Sequence, residues 1–361
     1  MTPLGAEIRE LIAAEGPISV SRYMALCLGH PTLGYYMTRD PIGMAGDFVT
    51  APEISQMFGE LVGLWAAQTW IDLGRPAPFA LVELGPGRGT LMADALRAAK
   101  VAPGFLEAAA VHLVETSPVL RERQRTALAT PPPALAGGVQ WHTGLEAVPD
   151  LPLIALANEF FDALPVRQLV RDRGAWHERL VGLDATGALA FGLAPDADPA
   201  IGYAAPEGAV LEIAAAQTAV MRALAERLVA MGGAALAIDY GHAQTGFADT
   251  LQAIRRHAFA DPLVDPGEAD VTAHVDFAQL AHTAQDAGAR VFGPVTQGAF
   301  LRALGIEARA RALAARASAR QSEEIGAALV RLAGEGDDDM GVLFKALAVA
   351  HPRLSACVGF T

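Results

Sequence analysis

The stretch FALVELGPGRGTLMADALR, from Phe79 to Arg97, reads in order as a buried strand, a glycine turn and an amphipathic helix. Phe79 to Leu84 is a short apolar run, the pattern of a strand covered on both faces. Gly85, Gly87 and Gly89 allow a tight turn and let a ligand approach with no Cβ in the way. From Thr90 on, Leu91, Ala95 and Leu96 keep helical spacing, so the helix presents its N-terminal N–H groups to whatever the turn holds. That is a cofactor cradle.

Its chemistry narrows the cofactor. Glu83 stands two residues before the first glycine. A carboxylate there suits an amino acid ammonium better than a pyrophosphate. Pro86 and Arg88 fill the gaps, so the turn is GxGxG and lacks the GxGxxG spacing that seats a dinucleotide. The next apolar run, Ala110 to Glu115, ends in an acid, the residue that typically holds ribose hydroxyls. A nucleoside with a cationic amino acid tail and no phosphates fits all three observations, and S-adenosyl-L-methionine is such a molecule. The competing readings are an ordinary strand–helix turn with a solvated Glu115 and the site of an NAD-dependent oxidoreductase.

The chain has 361 residues, enough for one large domain or two. Hydrophobic residues are 52% and charged residues 19%, which excludes a disordered chain. The net charge of -13 argues against nucleic acid as a partner, since phosphate neutralisation needs clustered Lys and Arg. Cys27 and Cys357 are the only cysteines, a usage that suits free thiols in a reducing compartment. MTPLGAEIRE at the N-terminus shows neither an apolar signal core nor an Arg- and Ser-rich presequence. The longest apolar run, around Leu228 to Ile238, is broken by glycines, so no membrane insertion is expected. The expected location is cytoplasmic.

Ile8–Ala14, Ser19–Leu28 and Ile54–Trp70 read as helices. They make residues 1–75 a helical N-terminal segment, with a long loop from Gly34 to Gln56 as a candidate lid. Strands are expected at Phe79–Leu84, Ala110–Glu115, Val139–His142, Pro152–Ala157 and Ala234–Tyr240. Helices fall between the first pairs, the signature of a doubly wound, mostly parallel α/β sheet of Rossmann-like type. Residues 76–165 and 210–361 would form this core. From Val166 to Leu193 the period changes to alternation with tight turns, so residues 166–209 read as an antiparallel β insertion on the substrate side.

Asn158-Glu159-Phe160-Phe161-Asp162 follows the fourth strand directly, which puts two carboxylates and a carboxamide at the C-terminal sheet edge. Carboxylates there could hold an amine or guanidinium in bidentate geometry. Alternatively, Asn158 and Asp162 cap a following helix. Asp239-Tyr240-Gly241-His242 reaches the same edge; His242 could accept a proton, or Asp239 could simply bond to backbone. Asp47 and Glu53 in the candidate lid are second choices for gripping a substrate, and Glu53 also suits a first helical turn. His257, His274 and Asp276 do not make a convincing metal set.

Longer stretches then carry a resemblance. GPISVSRYMALCLGHPTLGYYMTRDPIGMAGDFVTAPEISQMFGE, VELGPGRGTLMADALR, VETSP, NEFFDALPVRQ, IDYGH, DPGEADVTAHVDF and MGVLFKALAV are similar to the MidA-type family, over about Gly16 to Leu347. That family includes a mitochondrial complex I assembly factor that is a protein arginine methyltransferase. The resemblance implies a class I methyltransferase that uses S-adenosyl-L-methionine on an arginine side chain of a complex I core subunit. A chaperone that keeps the fold without turnover is the rival from another class. By the same resemblance, Gly85, Pro86, Gly87 and Gly89 line the methionine part of the cofactor. Glu83 meets its ammonium and Glu115 its ribose, and backbone groups at Gly144 and Leu145 are the candidates for its adenine. Asn158 stands where many amino methyltransferases have Asn or Asp before two prolines, although Glu159 and Phe160 follow here. Glu159 and Asp162 would grip the guanidinium.

Overall fold

Phe79–Leu84 is a strand in which every residue is buried, as expected for an apolar run between two parallel neighbours. Those neighbours are Ala109–Val114 and Leu153–Asn158. The computed structural model describes residues 2–43, 46–132, 134–135 and 137–360. The expected lid includes residues 44 and 45, which lie outside the described residues.

The chain divides into two compact units. The first to be described comprises Val49–Phe161, Val220–Ala243 and Val275–Thr361. Its sheet runs in the order Arg290–Thr296, Phe344–Ala350, Gly233–His242, Leu153–Asn158, Phe79–Leu84, Ala109–Val114, Val139–His142, with Val275–Asp276 pairing off this path. Phe344–Ala350 is antiparallel to both of its neighbours. The other adjacent pairs along this path are parallel. The chain starts at the central Phe79–Leu84 strand, moves outward on one side, then returns to Leu153–Asn158 on the other. This reversal makes a switch point, and in such sheets ligands bind outside the carboxyl ends of the strands there.

The helix after the glycine turn, Thr90–Ala99, packs against Gln56–Asp72, and glycines set the distance between them. A Cβ on Gly63 would lie 2.4 Å from Ala95 Cα, and one on Gly59 would lie 2.6 Å from Asp94 Cβ. The pair can meet this closely only because both positions lack side chains. Trp65, Trp70, Phe79 and Phe105 are buried beneath them in one apolar core.

The second unit comprises Met1–Phe48, Asp162–Ala219 and Gln244–His274. Arg167–Asp172, Ala175–Leu183 and Val210–Ile213 form an antiparallel sheet with Leu189–Ala197 and the short Ile18–Ser19. Helices Pro3–Glu15 and Val20–Gly29 bury Leu4, Ile8, Tyr23 and Met24 in a core shared with Val166, Val181 and Val271.

This division differs from the boundaries at 75, 165 and 209 read from pattern. Residues 166–209 hold three strands of this antiparallel sheet, Arg167–Asp172, Ala175–Leu183 and Leu189–Ala197. Ile18–Ser19 pairs with Leu180 and Val181 of the strand Ala175–Leu183, which ties that sheet to the N-terminal helices. The helix expected after Asn158 is also absent: residues 159–166 form a turn, and the next element is the strand Arg167–Asp172. Capping by Asn158 and Asp162 is therefore corrected. Asp276 of the HxD pair is the N-cap of Phe277–Asp286, its Oδ1 accepting the Gln279 N–H. Among the described residues no group of His, Cys, Asp and Glu could hold a metal ion.

Candidate functional site

Gly85, Gly87 and Gly89 take φ of 61°, 52° and 85°, the left-handed region that a side chain disfavours. The turn closes through a hydrogen bond from Gly89 N–H to the Pro86 carbonyl at 2.7 Å. A Cβ at Gly85 would come within 2.9 Å of the Phe160 ring. Gly89 is the N-cap of Thr90–Ala99 and brings no side-chain cap, so the helix start keeps N–H groups for a ligand.

Glu83 ends the central strand in full burial, and its Oε2 has no hydrogen-bond partner among the described residues. Burial pushes its carboxyl up to about 8; the Met92 N–H opposes this shift and nearby Glu115 adds to it. Glu115 is also buried, and that burial raises its carboxyl despite hydrogen bonds to both oxygens. Ser117 N–H donates to Oε1 at 2.7 Å and Gln124 Nε2 to Oε2 at 3.2 Å. The Thr116 N–H also contributes, and a carboxylate offers about four acceptor positions, so capacity remains for a ribose hydroxyl.

The turn after Leu153–Asn158 is held from below. Asp239 is fully buried, and its carboxylate accepts the N–H groups of Phe160, Phe161 and Tyr240 at 2.9–3.1 Å. The reading of Asp239 as bonded to backbone is the one found, while His242 Nε2 lies 3.7 Å from Asp276. Glu159 adopts φ 49°, rare for a residue with a side chain. Its Oε1 accepts from Asn158 Nδ2 at 3.0 Å and from Ala51 N–H at 2.9 Å. The bond to Glu159 fixes the Asn158 amide with its nitrogen toward the carboxylate. Asn158 Oδ1 is then a buried acceptor with no partner among the described residues.

Two orphaned acceptors, Glu83 Oε2 and Asn158 Oδ1, thus occur on adjacent parallel strands of one unit. Leaving each unmade costs about 1–3 kcal/mol, which a ligand bearing an ammonium would recover. Glycine cradle, orphaned acceptors and ribose acid together fit S-adenosyl-L-methionine.

The other candidate residues have contacts of their own. Glu53, on the short helix Ala51–Ile54, accepts from Thr90 Oγ1 and lies 3.5 Å from Arg88 Nη1, so it braces the glycine turn. Leu145 lies in a 3-10 turn with its carbonyl bonded to Arg227. Asp47 belongs to the other unit, where its carboxylate accepts from Tyr35 Oη and Arg256 N–H. Asp162 is buried in that unit as well; burial, then Asp270 and Asp162, raise the phenol of Tyr36, whose hydroxyl donates to Asp270 at 2.9 Å. Glu159 and Asp162 therefore fall in different units, and Glu159 spends its carboxylate on Asn158 and Ala51. Gln124 went unnoticed in the sequence, because a lone Gln in an Arg-rich helix looks like a surface residue.

A family model described as S-adenosyl-L-methionine-dependent methyltransferase matches residues 61–295. The chain belongs to this methyltransferase family. It is 38% identical to the mitochondrial protein arginine methyltransferase NDUFAF7 homolog of Drosophila melanogaster, over 99% of this chain and 88% of that protein. Identity to human mitochondrial NDUFAF7 is 38%, over 87% of this chain and 76% of that protein. Among solved structures, a Burkholderia thailandensis protein bound to S-adenosyl-homocysteine superposes with a TM-score of 0.84 at 32% identity, covering 99% of this chain and 93% of that one. The cofactor of this methyltransferase is S-adenosyl-L-methionine, as read from the turn, and the NAD reading falls. The cytoplasmic location is corrected: these curated relatives are mitochondrial proteins. No described helix is long and apolar enough to cross a membrane.

Proposed function

We propose that this methyltransferase modifies an arginine side chain of a protein, a core subunit of respiratory complex I, and thereby supports complex I assembly. The observation that carries the reading is the near full-length similarity to proteins named protein arginine methyltransferase NDUFAF7. When bound, the cofactor supplies a methyl carbon on a sulfonium, open to in-line displacement by a nitrogen lone pair.

In this reading Glu83 and Asn158 Oδ1 hold the cofactor ammonium, and Glu115 holds a ribose hydroxyl. Gly85, Pro86, Gly87 and Gly89 wrap the methionine portion, and Leu145 borders the adenine. Glu159 is a positioning residue that keeps Asn158 Oδ1 turned toward its ligand. Asp162 is the carboxylate kept for the acceptor guanidinium. A guanidinium stays protonated at neutral pH, so a carboxylate beside it serves orientation and charge matching, and takes up the proton released as the N–C bond forms. Alignment of nitrogen with the methyl carbon supplies most of the rate.

The test is complementation of cells that lack the endogenous relative. The parent chain restores complex I assembly, and Gly87→Val, which forces a β-branched residue to φ 52°, does not. Restoration by Gly87→Val would favour the chaperone reading, since a scaffold needs no cofactor.

A further inference from the structure

We propose that Gln124 is a positioning residue of the cofactor site, holding the ribose carboxylate and the glycine turn in register through a single oriented amide. The proposal rests on Glu115 being the ribose acid. Gln124 lies on the helix Pro118–Ala127 and is completely buried, a place where an amide needs every bond it can make. Its Nε2 donates to the Gly87 carbonyl at 2.8 Å and to Glu115 Oε2 at 3.2 Å. Its Oε1 accepts from Trp141 Nε1 at 3.0 Å.

An indole N–H can only donate, and this settles the orientation. Flipping the amide would face N–H against N–H at Trp141. It would also turn a carbonyl oxygen toward both the Gly87 carbonyl and the Glu115 carboxylate. Trp141 is itself covered by the Arg125 guanidinium, 5.3 Å from the ring centre. A Cβ on Gly89 would lie 3.2 Å from Gln124 Cα, so the third glycine lets the helix carrying Gln124 come this close. One side chain therefore ties the middle of the turn, the end of Ala109–Val114 and the strand Val139–His142. Glu115 is clamped between Gln124 and the Ser117 N–H, which fixes the plane of the carboxylate before any ribose arrives. Such pre-organisation lowers the ordering cost of binding.

The experiment is calorimetric titration with S-adenosyl-homocysteine from about pH 6 to about pH 9. The parent chain is compared with Gln124→Met, Gln124→Glu, Trp141→Phe and Glu115→Ala, each checked for a cooperative melt. Gln124→Met keeps the volume and loses both donors, and its affinity falls about tenfold or more. In Gln124→Glu a protonated carboxyl can still donate, whereas a carboxylate cannot and repels Glu115. The ratio of its Kd to the parent's therefore rises with pH. Glu83, Glu115, Arg121, Arg125 and His142 surround this region in both proteins, so the ratio to the parent reads the substituted group. A packing role alone predicts a ratio that does not change with pH, and that result overturns the proposal. If Glu115→Ala binds as tightly as the parent, the ribose reading fails and the proposal with it. If Glu115→Ala binds weakly but the Gln124 variants bind normally, the proposal alone fails. Should neither Gln124 variant fold, Trp141→Phe decides: the ring stays and the donor that orients the amide is lost. Several-fold weaker binding supports the proposal, and parental affinity overturns it.

Discussion

A carboxyl held at about 8 is mostly neutral at pH 7, so Glu83 links cofactor binding and stability to pH. Its folded pKa lies above the ordinary carboxylate value of about 4.3. Below that value both states are protonated and folding pays no penalty. Between about 4.3 and about 8 the unfolded carboxyl ionises while the folded one keeps its proton. The cofactor-free protein therefore loses stability as pH rises through this interval and levels off above it. Glu83→Gln removes the titration, so its melting temperature should exceed the parent's by a margin that widens from pH 5 to pH 8; a constant margin would contradict the assignment. An ammonium prefers the carboxylate, so at pH 7 binding should release a proton from Glu83. Calorimetry in buffers of different ionisation enthalpy checks this, and the release should disappear in Glu83→Gln. Glu159→Ala should weaken cofactor binding without a comparable loss of fold, because the Asn158 amide is then free to turn its oxygen away. Equal affinity would return Glu159 to a purely structural role.

At the scale of elements, the strands around the switch point were legible because burial on both faces writes them as short apolar runs. Phe79–Leu84 and Val139–His142 match the reading, and Leu153–Asn158 and Ala109–Val114 are shifted by one residue. The turn after Asn158 was not legible as a turn. Asn and Asp two turns ahead of Arg167 resemble caps, and only Asp239, more than seventy residues downstream, shows what holds the backbone instead. The strained Glu159 has no signature in composition either; tertiary anchoring imposes its φ. Asp239→Ala strands three backbone donors, each of them bonded to a buried carboxylate. It should therefore destabilise the protein by at least about 1.5–3 kcal/mol, read as a lower urea midpoint at unchanged slope. A loss of only a few tenths would mean that the turn is held by its apolar residues.

At the scale of the whole molecule, each of the two units gathers three separated stretches of chain. Local periodicity cannot show this, because the pairing of Ile18–Ser19 with Leu180 and Val181 joins the first stretch directly to the second. The cofactor class was legible from the glycine turn and the acids that flank it, because they lie within one short stretch of sequence. The surroundings of Asp47 were not, since its carboxylate accepts the Arg256 N–H from more than two hundred residues downstream. Binding of S-adenosyl-L-methionine to the native state alone should stabilise the protein by about 2.7 kcal/mol at a hundred times its Kd, with no shift from NAD. The most direct measurement is incubation of the purified protein with methyl-labelled S-adenosyl-L-methionine and individual complex I core subunits, followed by peptide mapping by mass spectrometry. Label on an arginine of one subunit, absent with Gly87→Val and reduced with Asp162→Ala, is the predicted result. Tight cofactor binding with no labelled arginine in any subunit would contradict it.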